Sequence, residues 1–392
     1  MISNYKNLFS IIKAALTDDF IVLEDTLDYA ELFEISKRHQ MVPLVYCGIQ
    51  KLKGDLEEIV KFQDCTLRLF YYDFKQLECL NQIEEAFSSN CIDYMLLKGA
   101  SIKKLYPSSE LRLMGDIDIL IKEEQYEQIR KALSNIDFFE GNETDHEMIW
   151  RSRDGVLVEL HKRLIPSYND DYYSYYCNSW EKPLLQKGNC YAMSAEDEYI
   201  YIFTHLTKHY RDGGIGLKHM IDVWYFALKH PSLDMEYINH EFDKLSLKRF
   251  HENILKTLAV WFHGKDCTDL TDYITERIIE SGAYGIKEKW DIANAARERA
   301  KTTSVASAKR KNILSLIFMP YSSMQKKYPF LIKVPFLLPL MWIVRWGDAI
   351  INKQSNVSRQ AERLNKMDSE YIDSYNRELE MVGLKFELKR ES

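Results

Sequence analysis

Between residues 115 and 121 the chain reads Gly-Asp-Ile-Asp-Ile-Leu-Ile, and this alternation is the strongest local constraint it carries. Side chains along a strand point to opposite faces with a period of two. Asp116, Asp118 and Leu120 then share one face, and Ile117, Ile119 and Ile121 share the other, which suits a core. Two carboxylates on one strand face repel each other and are costly to take out of water. A divalent cation between them removes that cost. Magnesium favours a few carboxylates, waters and phosphate oxygens over an all-protein cage. An isolated Asp-x-Asp is more simply a solvated strand end, so the flanks decide.

Downstream, Asp154-Gly155 is a two-residue hairpin signal between residues 146–153 and 156–160. In the second strand Val156, Val158 and Leu160 share a face, with Leu157, Glu159 and His161 opposite. Glu159 is an acid in an otherwise apolar strand. It suits a third ligand to the Asp116/Asp118 metal, or a general base on an attacking group. Upstream, the apolar run from Tyr94 ends at Leu97-Lys98-Gly99-Ala100-Ser101 and opens a helix over residues 100–105. Backbone N–H groups at a helix start, with a nearby lysine, suit a phosphate.

These motifs form a string: Leu97-Lys98-Gly99-Ala100, Leu105-Tyr106-Pro107, Arg112, Gly115-Asp116-Ile117-Asp118 and Glu159-Leu160-His161, followed by His205, His209 and Asp222. The string resembles the DNA-polymerase-β-like nucleotidyltransferase superfamily, and within it the bacterial family of uncharacterised nucleotidyltransferases. The resemblance covers residues 93–228, with a weaker echo over 328–346. It implies a small mixed sheet with flanking helices and a magnesium-dependent transfer of a nucleoside monophosphate from an NTP, ATP first, with release of pyrophosphate. Asp116, Asp118 and Glu159 are then the catalytic and metal residues. Lys98, Gly99, Ser101, Arg112, His205 and His209 are the nucleotide contacts. The acceptor, a small molecule or a protein, is not legible. The superfamily usually has Gly-Ser at the turn where this chain has Gly99-Ala100, which leaves Ser101 or Lys98 to take the phosphate contact. If neither does, the alternative is a nucleotide-binding sensor or scaffold without turnover. An Asp-x-Asp glycosyltransferase is the other rival, but a helical segment precedes the acids and that reading leaves Glu159 unexplained.

Composition narrows the class further. A chain of 392 residues has room for two or three domains and a sizeable core. A net charge of −7 argues against a general nucleic-acid binder, which needs a basic face. Seven cysteines without a C-x-x-C suggest neither a zinc ribbon nor a disulfide framework. No signal-peptide pattern is present, which makes the cytoplasm the expected compartment.

The expected architecture is α+β, with an N-terminal helical region over 1–90, a nucleotidyltransferase core over 91–192 and a C-terminal helical domain over 193–392. Residues 56–87 carry apolar side chains at helical spacing, and the region 1–90 should either pack on the sheet or form a separate helical module. Ser194-Ala195-Glu196-Asp197 resembles a capping box. His205 and His209 lie four apart on the helix that follows, and a helical hairpin would bring Asp222 to them. An Asp222–histidine bond without zinc is expected there, since the pair lacks the glutamate of a metalloprotease motif. Residues 302–311 read as a loop. Residues 313–351 are the most apolar part of the chain, but prolines and Lys333 interrupt them too often for a membrane span. The segment is expected either to be buried or to lie on a membrane surface, with Lys326, Lys327, Lys333 and Arg345 at head-group level.

Overall fold

A computed structural model describes residues 5–301 except 18, 24–26 and 53–55, residues 318–351 except 320, 322–323, 326–327 and 333, and residues 369–386. The chain divides into two compact units, Met1–Tyr210 with Gly214–Gly285, and Arg211–Gly213 with Ile286–Ser392. The first unit is an α+β assembly around one mixed, seven-stranded sheet of order β3-β4-β5-β2-β1-β7-β6. Its strands are β1 (Tyr94–Leu96), β2 (Ile117–Ile121), β3 (Phe138–Glu143), β4 (Glu147–Ser152), β5 (Leu157–His161), β6 (Leu184–Lys187) and β7 (Cys190–Ala192). Its helices include α1 (Lys6–Leu16), α2 (Tyr29–Arg38), α3 (Val42–Ile49), α4 (Leu56–Ser89), α5 (Lys98–Ile102), α6 (Tyr126–Ser134) and α7 (Asp170–Tyr173). Beyond the sheet come α8 (Ala195–Asp212), α9 (Leu217–Lys229), α10 (Met235–Lys244), α11 (Lys248–His263) and α12 (Asp269–Ser281).

Period-two patterning places the core. Ile117, Ile119 and Ile121 of β2 join Val158 and Leu160 of β5, with Val156 just before it, in one buried cluster. Cys79, Leu80, Ile83 and Phe87 from the second half of α4 cover that face, together with Ile129, Ala132 and Leu133 of α6. Fully burying one such aliphatic side chain stabilises by about 1.5–3 kcal/mol, so this face fixes the strand register. The N-terminal helical region is thus joined to the sheet through α4. Pro43 falls in the first turn of α3, where a missing N–H costs nothing.

The β4–β5 connection differs from the expected two-residue loop. Ser152 N–H donates to the Val156 carbonyl at 3.0 Å, and Gly155 N–H donates to the Ser152 carbonyl at 3.0 Å, so three residues make the turn. Gly155 sits at φ +82°, which lets an extra residue in without strain. The helix expected over 100–105 starts earlier, at Lys98, and tightens to a 3₁₀ turn over Lys103–Leu105. The Ser194 cap is as expected: its Oγ accepts from Asp197 N–H at 3.1 Å.

In the second unit, α13 (Lys287–Lys301) and the helices Leu338–Ile351 and Ser369–Val382 are formed. Met324, Leu331 and Met341 make a small core, against which Trp342 packs. Arg345 is buried rather than turned outward to a head group. Phe336, Leu340, Ile343 and Val344 are exposed. No described helix is long and apolar enough to cross a membrane. The loop expected over 302–311, the residues 313–317 and the three lysines 326, 327 and 333 lie outside the described residues.

Candidate active site

Strand pairing delivers the first cation to the acids. β1 runs antiparallel to β2 with Leu96 opposite Ile119, and Leu97 N–H donates to the Asp118 carbonyl at 3.0 Å. The next residue, Lys98, has φ +45°, a left-handed backbone that a non-glycine residue adopts at a cost of roughly 1–3 kcal/mol. From there its Nζ reaches Asp118 Oδ1 at 2.6 Å. Gly99 follows, and a Cβ there would lie 3.0 Å from Met114 Cγ and 3.5 Å from Arg112 Nη1. A side chain at 99 would therefore press on the loop that leads into β2.

The acids come together through the parallel pairing of β2 with β5, whose register sets Asp118 beside Glu159 and Leu120 beside His161. Paired positions share a face, so Glu159 lies on the Asp118 side of the sheet, away from the isoleucine core. Donor atoms of Asp118, Glu159 and His161 lie within 4.8 Å of one another. Asp116 precedes β2 and stands outside that tightest group, yet its charge acts on both Asp118 and Glu159. A fourth acid, Glu147, shares the face, because β4 pairs with β5 with Glu147 opposite His161. Its Oε2 lies 3.0 Å from His146 Nε2.

The electrostatics separate these carboxyls. Burial alone would raise Asp118, but the Lys98 ammonium and the bond from His161 hold it well below the usual carboxylate range. His161 Nε2 donates to Asp118 Oδ1 at 2.6 Å and stays neutral, its pKa lowered by burial and by Lys98. Lys98 is raised, since Asp118 outweighs the burial that opposes its charge. Burial and the Asp118 charge push Asp116 up to about 6. Burial, then Asp116, Asp118 and Glu147, push Glu159 up to about 8. Both bonds to Asp118 fall on Oδ1. Glu159 is half-buried and receives no hydrogen bond from any described residue; His161 Nε2 stands 3.7 Å away. Carboxylate oxygens held this close and short of donors suit a hard divalent cation. Asp118, Glu159 and His161 could together hold a divalent cation, with Asp116 adjacent.

The remaining expected contacts are placed as follows. Ser101 Oγ donates to Glu198 of α8. Arg112 is buried and grips Asp222 of α9 with two bonds, Nε to Oδ1 at 2.8 Å and Nη2 to Oδ2 at 2.6 Å. Tyr106 Oη adds a third bond to Asp222 at 2.8 Å. The expected Asp222–histidine bond is therefore absent. A buried carboxylate needs a full counter-charge, which the Arg112 fork supplies and neutral imidazoles do not. His205 and His209 turn to each other instead, Nε2 to Nε2 at 3.0 Å. Asp222→Ala should strand the Arg112 charge and lower unfolding free energy by roughly 3–5 kcal/mol, read as a shifted urea midpoint. A midpoint that stays in place would show that the pair does not tie α9 to the sheet.

Two cleft residues carried no sequence signal: Lys218 and His219, in the first turn of α9. Lys218 acts on Asp116 from across the cleft, and His219 faces His205 and His209. His161 had a signal, two residues after Glu159 on one strand face, but period two gives only its direction.

Comparison with known proteins then bears on the whole arrangement. Residues 25–263 match the family model described as "Uncharacterised nucleotidyltransferase", which is more than half of the chain. Comparisons with curated proteins and with solved structures gave no match.

Proposed function

The chain belongs to the uncharacterised nucleotidyltransferase family, and from that premise we propose that it moves a nucleoside monophosphate from a magnesium-bound NTP to an acceptor oxygen. The observation that carries this reading is the half-buried Glu159 carboxyl, which lacks a hydrogen-bond donor among the described residues and faces Asp118 in parallel register. In the proposed reaction the acceptor oxygen attacks the α-phosphorus, the bond to the β-phosphate oxygen breaks, and pyrophosphate leaves with the electron pair. Asp116, Asp118 and Glu159 would hold the magnesium ion. When bound, that ion supplies Lewis-acid polarisation of the phosphate oxygens.

The chain's own residues take the other roles. With the cation bound, which would favour its carboxylate form, Glu159 would accept the acceptor's proton. Lys98 and Gly99, at the β1–α5 turn, would face the phosphates and position them. His161 donates to Asp118 Oδ1 and so fixes which carboxylate edge is presented. Ser101 and Arg112 support the cleft through Glu198 and Asp222 rather than by standing free. The geometry of the acids also supports a protein that binds nucleotide without turning it over, and one assay separates the two. Purified full-length protein is incubated with labelled ATP, GTP, CTP or UTP and magnesium. Pyrophosphate release or a labelled product supports transfer. Saturable binding with neither, across candidate acceptors from lysate, supports a sensor. No magnesium-dependent binding of any NTP ends both readings.

A further inference from the structure

α8 and α9 bring four basic side chains to one place. His205 and His209 lie one turn apart on α8, with ring centroids 4.4 Å apart. His219 of α9 faces both, at 5.9 Å and 6.1 Å. Lys218 precedes it, and its Nζ has Gln40 Oε1 as a hydrogen-bond partner at 3.3 Å. Tight packing behind the turn fixes this arrangement: a Cβ on Gly216 would come within 2.9 Å of Ala283 Cα. All four residues are half-buried, and His219 Nδ1 is a buried ring nitrogen without a hydrogen-bond partner.

None of the four has a carboxylate partner among the described residues. The acid within reach, Asp222, is taken up by Arg112 and Tyr106. Burial first, then the neighbouring histidines, Lys98 and Lys208, hold the pKa of His205 and of His209 well below the usual imidazole range, and burial with Lys218 does the same for His219. Lys218 is pushed down to about 8, first by burial and then by Arg112. Asp116 and Asp118 act on Lys218, and Asp118 on His209, so the cluster borders the acid site. A concentration of N–H donors without an anion is costly to bury, and an incoming anion relieves that cost.

Three imidazoles also suit a d-block cation. The surroundings argue against one here, because the nearby charges are positive, Lys98 and Lys208 beside His205 and His209, and Lys218 beside His219. The rings of His205 and His219 also stack at 27° to each other rather than converge on a point. A ligand with several negative charges fits better.

We propose that His205, His209, Lys218 and His219 form a subsite for the terminal phosphates of the nucleotide, a polyphosphate clamp that selects triphosphates over monophosphates. The proposal rests on the nucleotidyl-transfer reading for its natural ligand, but not for its test. Lys218 supplies an ammonium with three donors, His219 one N–H, and the His205–His209 pair one more, since one of these two rings already donates its N–H to the other. Together they would grip the β- and γ-phosphates while the acids hold the metal side.

The probes are inorganic tripolyphosphate, Mg·ATP and AMP, titrated into full-length protein by calorimetry. The doubly substituted variant Lys218→Gln/His209→Gln should lose roughly tenfold to a hundredfold in tripolyphosphate affinity, the scale of one or two lost charge-assisted hydrogen bonds. Mg·ATP should weaken in parallel and AMP hardly at all. Lys218→Arg, which keeps the charge, should retain most of the affinity and guards against a folding artefact. Unchanged tripolyphosphate affinity in the folded double variant overturns the clamp and leaves the proposed function standing. Stoichiometric zinc or nickel, lost on His205→Gln, overturns it in favour of a metal site. Tripolyphosphate bound through these residues by a protein that transfers no nucleotide supports the clamp and removes the proposed function.

Discussion

Glu159→Gln is expected to leave magnesium-dependent nucleotide binding in place, because Asp116 and Asp118 would still hold the ion, and to slow nucleotidyl transfer by roughly two orders of magnitude or more, the usual scale for a lost general base. The parallel register sets Glu159 beside Asp118 on the open face of the sheet, so the amide keeps the shape and removes the proton acceptor. A second readout is stability without metal. Burial and three neighbouring acids raise Glu159 from 4.5 to about 8, and burial and Asp118 raise Asp116 from 3.8 to about 6. An acid whose folded pKa is raised binds its proton more tightly folded than unfolded. Its contribution is therefore full below the unfolded pKa and is lost as pH rises through the folded one. The metal-free protein should lose stability between pH 3.8 and 8, by a few kcal/mol at about 1.4 kcal/mol per unit, reduced because Glu159 remains partly exposed. Asp118 is shifted the other way, and its contribution disappears only below about pH 4. In the Gln variant most of the loss above pH 6 should vanish, and in the wild type magnesium should offset it. Thermal unfolding at pH 5 and pH 8, with and without magnesium, checks this. Undiminished transfer in the variant would remove Glu159 from the chemistry. An unaltered pH slope would show that the acids do not meet.

The strands were legible because period two is a local signal. Asp116-Ile117-Asp118-Ile119 and Val158-Glu159-Leu160 each specify which side chains go inward, and the buried isoleucines and valines follow that pattern. The helix of residues 56–89 was legible for the same reason at period 3.6. Pairings between distant segments were not. Nothing local to Asp222 distinguishes Arg112 from His205 as its partner; the choice follows from where the loop before β2 meets α9, and from the need to match a buried charge with a full opposite charge. Strands β6 and β7 were missed because Leu184–Lys187 is short, exposed at the sheet edge and without alternation. Nothing local to Lys218 marks its nearness to Asp116, which follows from how α9 packs in the folded unit. His161 was placed on the right face, but its bond to Asp118 depends on strand register, which sequence does not give.

Asp118→Asn is expected to abolish the magnesium-dependent part of nucleotide affinity, so that ATP binds equally weakly with and without the ion. Of the acids, Asp118 is the one on which the site converges. One of its oxygens takes both the Lys98 ammonium and the His161 N–H, and the residue stands beside Glu159. Its low pKa keeps it charged at every working pH, unlike Glu159, so the standing negative charge that attracts a cation comes first from Asp118. The amide preserves an acceptor oxygen for one of the two bonds but removes that charge. Lys98, mostly buried at 19% side-chain exposure, then loses its nearest counter-ion. A loss of stability, below the roughly 3–5 kcal/mol typical of a fully buried broken pair, should accompany the loss of binding. The two effects separate by pairing the variant with Lys98→Met. The double variant should recover stability, since no unpaired ammonium remains, and should still fail to bind Mg·ATP. Calorimetric titration of folded protein, with the fold checked by circular dichroism, is the measurement. Magnesium-dependent affinity that survives Asp118→Asn would place the metal elsewhere on the sheet, and the role given to Glu159 would fall with it.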